Sequence, residues 1–310
     1  MTLHSTHWTP VIHGGILPAM PMITDTSPIV FRDDLPASID VIVIGAGVAG
    51  ISTALFLRER GVSVLVCEKG RVAGEQSSRN WGWIRQQRRD PAELPIMMES
   101  IGLWERLASE VDEDIGFARH GVVRLAETEA ELDGLAQWLP VAEQHQLETR
   151  LLNASEVDEL VSGRPRQWRG GLYTPSDARA EPFKAVPALA RLLQHRGGLV
   201  RESCAVRWID REGGRVAGVI TEEGLVRTQA VVCAAGAWSA LVVRHLGVRL
   251  PQLTVRATVA RTARAPDLFA GNANAGDIAF RRRNDGGYTV AAAGENEHFV
   301  SAETVRHFKR

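Results

Sequence analysis

The chain has 310 residues, enough for one large or two ordinary domains with sizeable cores. Hydrophobic residues make up 45% and charged residues 24%, and the formal net charge is -1. That balance gives no electrostatic reason to expect nucleic acid or an acidic membrane surface as partner. No stretch approaches the ~20 apolar residues of a membrane span. The three cysteines, Cys67, Cys204 and Cys233, lack C-x-x-C spacing or a paired His cluster. Disulfides and a metal site are therefore not expected, and a reducing cytoplasm is.

Residues 1–38 lack the charged start and continuous apolar core of a signal peptide. Pro18, Pro21, Pro28 and Pro36 among polar residues predict an extended N-terminal arm or disordered lead-in. From Asp40 the sequence reads Val-Ile-Val-Ile-Gly45-Ala-Gly47-Val-Ala-Gly50. Val41 to Ile44 is the short apolar run of a strand buried on both faces of a parallel sheet. The glycines then fall at G-x-G-x-x-G spacing: Gly45 for the turn, Gly47 for approach of a pyrophosphate, Gly50 for packing of the next helix on the strand. That helix is predicted from Val48 to Arg60, with the amides of Val48 and Ala49 in its first turn facing the phosphates. Val62 to Cys67 is the second strand, and Glu68, followed by Lys69, falls where a carboxylate would accept from a ribose hydroxyl. The order of strand, turn, helix, strand and acid points to a dinucleotide site. An ordinary glycine-bearing strand–helix turn is the alternative.

Pro91 opens a predicted helix with Met97, Ile101, Trp104, Ala108 and Val111 on one face. Gly121 to Leu125 reads as a strand, Glu127 to Gln146 as a polar helix interrupted at Pro140, and Asn153 as the cap of a short helix through Glu159. Pro182 starts a helix carrying Phe183, Val186, Ala190 and Leu193, stopped by Gly197-Gly198. A β-meander follows, with strands Leu199 to Trp208, Arg215 to Thr221 and Leu225 to Ala234. Beyond Pro251, Thr254 to Arg261 is strand-like, and Ile278 to Val290 is a hairpin turning at Asp285-Gly286-Gly287. The basic clusters Arg85–Arg89 and Arg281–Arg283 read as solvated faces or structural ion pairing. His13, His120, His195 and His245 stand alone and read as satisfied surface or core residues.

Three blocks resemble the FAD-dependent amine and amino-acid oxidoreductases of the D-amino-acid oxidase, glycine oxidase and sarcosine oxidase family. The first is Gly45 to Glu68. The second is Gly74-Glu-Gln76-Ser77-Ser78-Arg-Asn-Trp81-Gly82-Trp83, similar to the hydroxyl-rich loop that runs beneath the flavin. The third is Cys204-Ala-Val206 with Thr228 to Ser239, containing Gly236 and Trp238, similar to the segment that closes over the adenine and reaches the ribityl chain. The resemblance implies an α/β fold: a Rossmann-like FAD-binding domain, residues 39–116 and 172–246, interleaved with an α+β substrate domain on an antiparallel sheet, residues 117–171 and 247–310. It implies FAD held by Gln76, Ser77 and Ser78, by backbone groups of Val206, and beside Gly82, which would leave room for a ring system. Trp81 and Trp83 fit either flavin proximity or packing at a domain seam. The loop from Gly74 to Trp83 contains neither His nor Cys, so the flavin is expected without a covalent tether.

The activity implied is oxidation of the C–N bond of an amino acid or N-substituted amino acid by hydride transfer to flavin, with oxygen or a quinone taking the electrons. A substrate carboxylate calls for an arginine fork; Arg85, Arg281 and Arg283 are candidates, with Tyr288 adding a hydroxyl. Family members continue into a final glycine-rich segment, whereas this sequence ends at Arg310 inside a helix predicted from Ser301. That ending implies an incomplete C-terminus, weak flavin binding and slow turnover, or a chain that needs a partner subunit. The alternatives are a non-catalytic FAD-binding remnant and a nicotinamide-dependent dehydrogenase.

Overall fold

The computed structural model describes residues 22–163, 167–292, 297–300 and 304–305. Strands β1 (Val41–Ile44) and β2 (Val64–Cys67) pair in parallel, and Ala230–Cys233 and Leu199–Arg201 flank them as further parallel strands. Alternation along these strands sends side chains to two different cores. Val43, Val66 and Val200 face helix α1 (Val48–Glu59) and the helix Pro182–His195, packing on Ile51, Leu55, Val186, Leu189 and Leu193. Ile42, Ile44, Leu65 and Cys67 face the other way, onto Ile209, Val219 and Val226 of a three-stranded antiparallel sheet. Each fully buried Leu or Ile in these layers contributes roughly 1.5–3 kcal/mol. The result is a helix–sheet–sheet stack with β1 at its centre.

Two predicted strands prove to be broken. Leu199 to Trp208 divides into Leu199–Arg201 in the parallel sheet and Val206–Glu212 in the antiparallel one. Between them Ser203 takes a left-handed φ of 52°, and the buried carboxylate of Glu202 accepts from the amides of Val30, Phe31 and Val72. Leu225 to Ala234 divides likewise into Gly224–Arg227 and Ala230–Cys233. Here the Thr228 hydroxyl donates to the Asp40 carbonyl at 2.8 Å, a bond that competes with regular ladder pairing. In both cases the chain changes sheet. Of the lead-in, residues 22–38 run without helix or extended ladder and are tied to the parallel sheet through Glu202, with Phe31 inside its core. Residues 1–21, including His13, lie outside the described residues, as does most of the helix expected from Ser301.

The second large sheet has seven strands. Its order is Val259–Arg261, Tyr288–Ala292, Ile278–Arg282, Asn272–Ala275, Val122–Ala126, Gly170–Thr174 and Arg150–Asn153. All pairs are antiparallel except Asn272–Ala275 with Val122–Ala126. The boundary expected at 171 falls inside the strand Gly170–Thr174. Helix α2 (Leu94–Glu110) begins three residues later than Pro91 suggested, because Asp90 first accepts from the Ala92 amide in a turn. The predicted polar helix divides into Glu129–Ala136 and Leu139–Gln144, with Pro140 in the first turn of the second, and Asn153 caps Ala154–Leu160 through a reciprocal bond with Glu156. Of the strand expected over Thr254 to Arg261, only Val259–Arg261 forms. No helix among the described residues is long and apolar enough to cross a membrane.

Candidate functional site

The end of β1 and the start of α1 form an open cradle. Gly45 turns with φ 103°, and a Cβ there would stand 2.5 Å from the Ala234 carbonyl oxygen, so the first and third sequence blocks meet at this glycine. Gly47 caps α1 without any side-chain cap of its own. The Val48 amide instead donates to the Ser77 hydroxyl at 2.9 Å, and a Cβ on Gly47 would crowd that same oxygen at 3.0 Å. Val48 and Ala49 are exposed. An uncapped helix start with one oxygen already seated on it has the charge and the geometry to receive an anion.

Glu68 forms the far wall. Its carboxylate accepts from the Ala46 and Gly70 amides, both at 2.8 Å, and is 7% exposed. Burial pushes its pKa up, and the two amides and Lys69 pull against that. The Cys204 amide donates to the Glu68 carbonyl at 2.8 Å, drawing the segment that leads to Val206 alongside. Val206 is half-buried against the Ile42–Leu65–Cys67 core. Lys69 pairs with Glu75 at 2.6 Å and stands 4.1 Å over the ring of Trp238. Gly236, at φ 54°, opens the short turn that presents Trp238, which is 40% exposed. Gln76 is exposed, and Ser78 makes only a 3.5 Å contact with the Glu75 carbonyl. A cleft between Gly47, Glu68, Arg71, Gly74 and Ser77 runs through the centre. The cradle, the acid and the hydroxyl loop fit the dinucleotide half of FAD.

Gly82 occupies a different setting from the one its smallness suggested. It is buried at φ 75°, and a Cβ would stand 2.5 Å from the Ala180 carbonyl and 2.7 Å from Arg281 Nε. The space beside Gly82 is filled by protein. Trp81 and Trp83 meet edge-on at 5.4 Å, and Trp83–Ile84 pairs with Ala178–Arg179.

Three of the four substrate-carboxylate candidates are engaged internally. Arg281 makes two 3.0 Å bonds to Glu181, each side chain being 1% exposed, and donates to the Trp81 carbonyl at 2.8 Å. Arg283 pairs with Asp285 at 2.7 Å and donates to the Tyr288 and Thr262 carbonyls. The Tyr288 hydroxyl accepts from the Leu268 amide and donates to the Pro266 carbonyl. These groups are structural ties, because a buried guanidinium must be paired and has been paired within the chain. Arg85, half-buried, donates to the Gln87 carbonyl and forms no ion pair with any described residue.

Several residues at this junction carried no sequence signal. Gln87, fully buried, donates to the Val122 and Leu172 carbonyls and the Thr174 hydroxyl, all within 3.1 Å. Asp177 accepts from the Gln86 and Gln87 amides at 2.7 and 3.2 Å, and burial raises its pKa to about 6. Isolated polar residues in loops look alike in sequence; only the pairing partner, 90 residues away, distinguishes them. Among the described residues no group of His, Cys, Asp and Glu could hold a metal ion.

Residues 40–309 match the family described as DAO, FAD dependent oxidoreductase. The chain belongs to this family. The match favours FAD over a nicotinamide cofactor for the cradle at Gly47. Among solved structures, L-amino acid deaminase from Proteus myxofaciens superposes with a TM-score of 0.85 at 31% identity, covering 91% of this chain and 65% of that one. Among curated relatives, 4-methylaminobutanoate oxidase (formaldehyde-forming) of Paenarthrobacter nicotinovorans is 29% identical over 74% of this chain and 28% of its own length. Sarcosine oxidase subunit beta of an Arthrobacter species is 28% identical over 69% and 55%. The chain thus spans about a quarter of the first of these curated relatives and about half of the second.

Proposed function

We propose that this chain oxidises the C–N bond of an amino acid or N-substituted amino acid, with non-covalent FAD as the acceptor. The observation that carries the reading is one continuous loop. It touches the start of α1 at Ser77 and the seven-stranded sheet at Gln87, which supports a substrate role for Arg85 on the path between them. The α1 amides and Ser77 take the pyrophosphate, Glu68 a ribose hydroxyl, and Lys69 with Trp238 flank the same track. Bound FAD supplies a two-electron acceptor for hydride leaving the substrate Cα, and the resulting imine hydrolyses. Arg85 orients the substrate through its carboxylate, and the packing of Trp81 to Trp83 on Arg281 holds the loop in place. Oxygen or a quinone takes the electrons.

On this reading residues 39–116 and 172–246 form the cofactor unit and 117–171 with 247–310 the substrate unit, supported by the two large sheets drawing on those segments in turn. The free thiols Cys67, Cys204 and Cys233 suit a reducing cytoplasm. The likeness to a protein named as a subunit supports a partner chain. The test is anaerobic addition of sarcosine, glycine, and L- and D-amino acids to the flavin-loaded protein. Bleaching of the visible flavin band by one of these classes is expected; a band that none of them changes would contradict the activity.

A further inference from the structure

The polar face of the seven-stranded sheet holds more positive charge than one carboxylate requires. Alternation and register put Arg124, Asn272, Asn274, Ala279, Arg281 and Thr289 on this face, while Val123, Leu125 and Ala273 turn to the apolar core behind it. Arg281 is neutralised by Glu181. Arg124 is not neutralised: it reaches only Asn274 Oδ1, at 3.4 Å, and its Nε is buried without an acceptor. The loop pinned by Gln87 to Val122 and Leu172, next to Arg124 in the sheet, brings Arg85 and exposed Arg88 over the same spot. No described carboxylate forms an ion pair with Arg85, Arg88 or Arg124. Arg89 beside them pairs with Glu93 at 3.6 Å. Asp177, whose charge acts on both Arg85 and Arg124, is already held by two amides.

Burial, then the charges of Arg85 and Arg88, push the Arg124 pKa down to about 10. Three guanidiniums against one carboxylate leave two positive charges in excess. With the substrate amine in the neutral form that hydride transfer requires, one carboxylate would offset one of those two charges and leave the other, whereas two carboxylates would offset both.

We propose that Arg124, with Arg88, forms a second carboxylate subsite beside Arg85, so that the substrate is a dicarboxylic amino acid, free or N-substituted. The inference rests on the oxidase reading for its orientation: Arg85 takes the α-carboxylate and Arg124 the side-chain carboxylate. Arg124 is the specificity-determining residue, and Arg88 guards the solvent entrance.

The experiment measures thermal midpoints of the full flavin-loaded chain with glutarate, butyrate or inorganic phosphate at matched ionic strength. Glutarate is expected to stabilise well beyond butyrate or phosphate. Arg124→Met should abolish that difference and raise the ligand-free midpoint by relieving repulsion; Arg88→Ala, at an exposed position, should reduce the difference even if Arg124→Met does not fold. In flavin reduction, Arg124→Met should raise KM for N-methylglutamate roughly tenfold to hundredfold more than KM for sarcosine. Equal shifts with glutarate and butyrate would overturn the subsite, and phosphate matching glutarate would overturn its assignment to substrate. A glutarate-specific shift without flavin reduction by any amine would support the subsite while removing the oxidase reading.

Discussion

Removing the Glu181 carboxylate should destabilise the molecule more than any other single side-chain truncation at the junction of the two large sheets. Glu181 accepts two bonds of 3.0 Å from Arg281 and one of 2.9 Å from the Asn284 amide, and both charged side chains are 1% exposed. In Glu181→Ala the Arg281 guanidinium stays buried, donating still to the Trp81 carbonyl but with no counter-charge. Breaking one partner of such a pair costs about 3–5 kcal/mol. For a chain of this size that is a fall in thermal midpoint on the order of 10 °C. Replacing both partners, Glu181→Leu with Arg281→Met, should recover the part of the loss due to Arg281, because the desolvation cost of that pair disappears with it, while Arg179, 3.9 Å from Glu181, still loses a counter-charge. Thermal melts of the wild type, Glu181→Leu, Arg281→Met and the double variant form the cycle, with Glu181→Ala beside them. Flavin content in the same samples reports whether the Trp81–Trp83 loop has moved. A midpoint in Glu181→Ala within a degree or two of wild type would refute the reasoning, and would mean that water reaches Arg281.

Gly82→Ala should be destabilising by more than the usual helix or strand penalty, since its Cβ would strike the Ala180 carbonyl from a left-handed backbone; soluble yield and thermal midpoint check this, and a neutral result would show that the loop can shift. Asp177 titrates near 6 in the fold against 3.8 for an ordinary aspartate, so the fold favours its protonated form. The stability it contributes is present below about pH 4 and lost as pH rises through 6, a change of about 3 kcal/mol. Asp177→Asn should therefore flatten the midpoint-versus-pH curve between those values, and an unchanged slope would contradict it.

The β1–α1–β2 unit was legible because its determinants are local: an apolar run, three glycines and an acid within 30 residues, each with one physical reason. The hydroxyl loop was legible as far as Ser77 because its partner, the start of α1, is named by the same glycines. Beyond that, long-range partners decide. Glu202 and Thr228 break strands only because the amides of Val30 and Phe31 and the carbonyl of Asp40 lie within reach. Structural ion pairing at Arg281 is legible as one of its two readings, but its partner is not, because nothing in its own segment shows Glu181, a hundred residues earlier. The sequence shows that Gly82 must be small but not that the Ala180 carbonyl and Arg281 are what its missing Cβ would strike. Arg124 is not legible as a site residue, because a single arginine in an apolar strand shows neither its face nor the arginines above it.

The proposed activity requires FAD at the start of α1, between Gly47, Glu68 and Ser77. The direct measurement is the flavin bound by wild type, Gly47→Val and Glu68→Ala after reconstitution with FAD, read from the visible spectrum and from flavin released on denaturation. Wild type should retain FAD that is released intact. Gly47→Val should retain almost none, because its side chain would occupy the anion position beside Ser77. Glu68→Ala should bind more weakly through loss of the ribose acceptor. Wild-type occupancy in Gly47→Val would contradict the account.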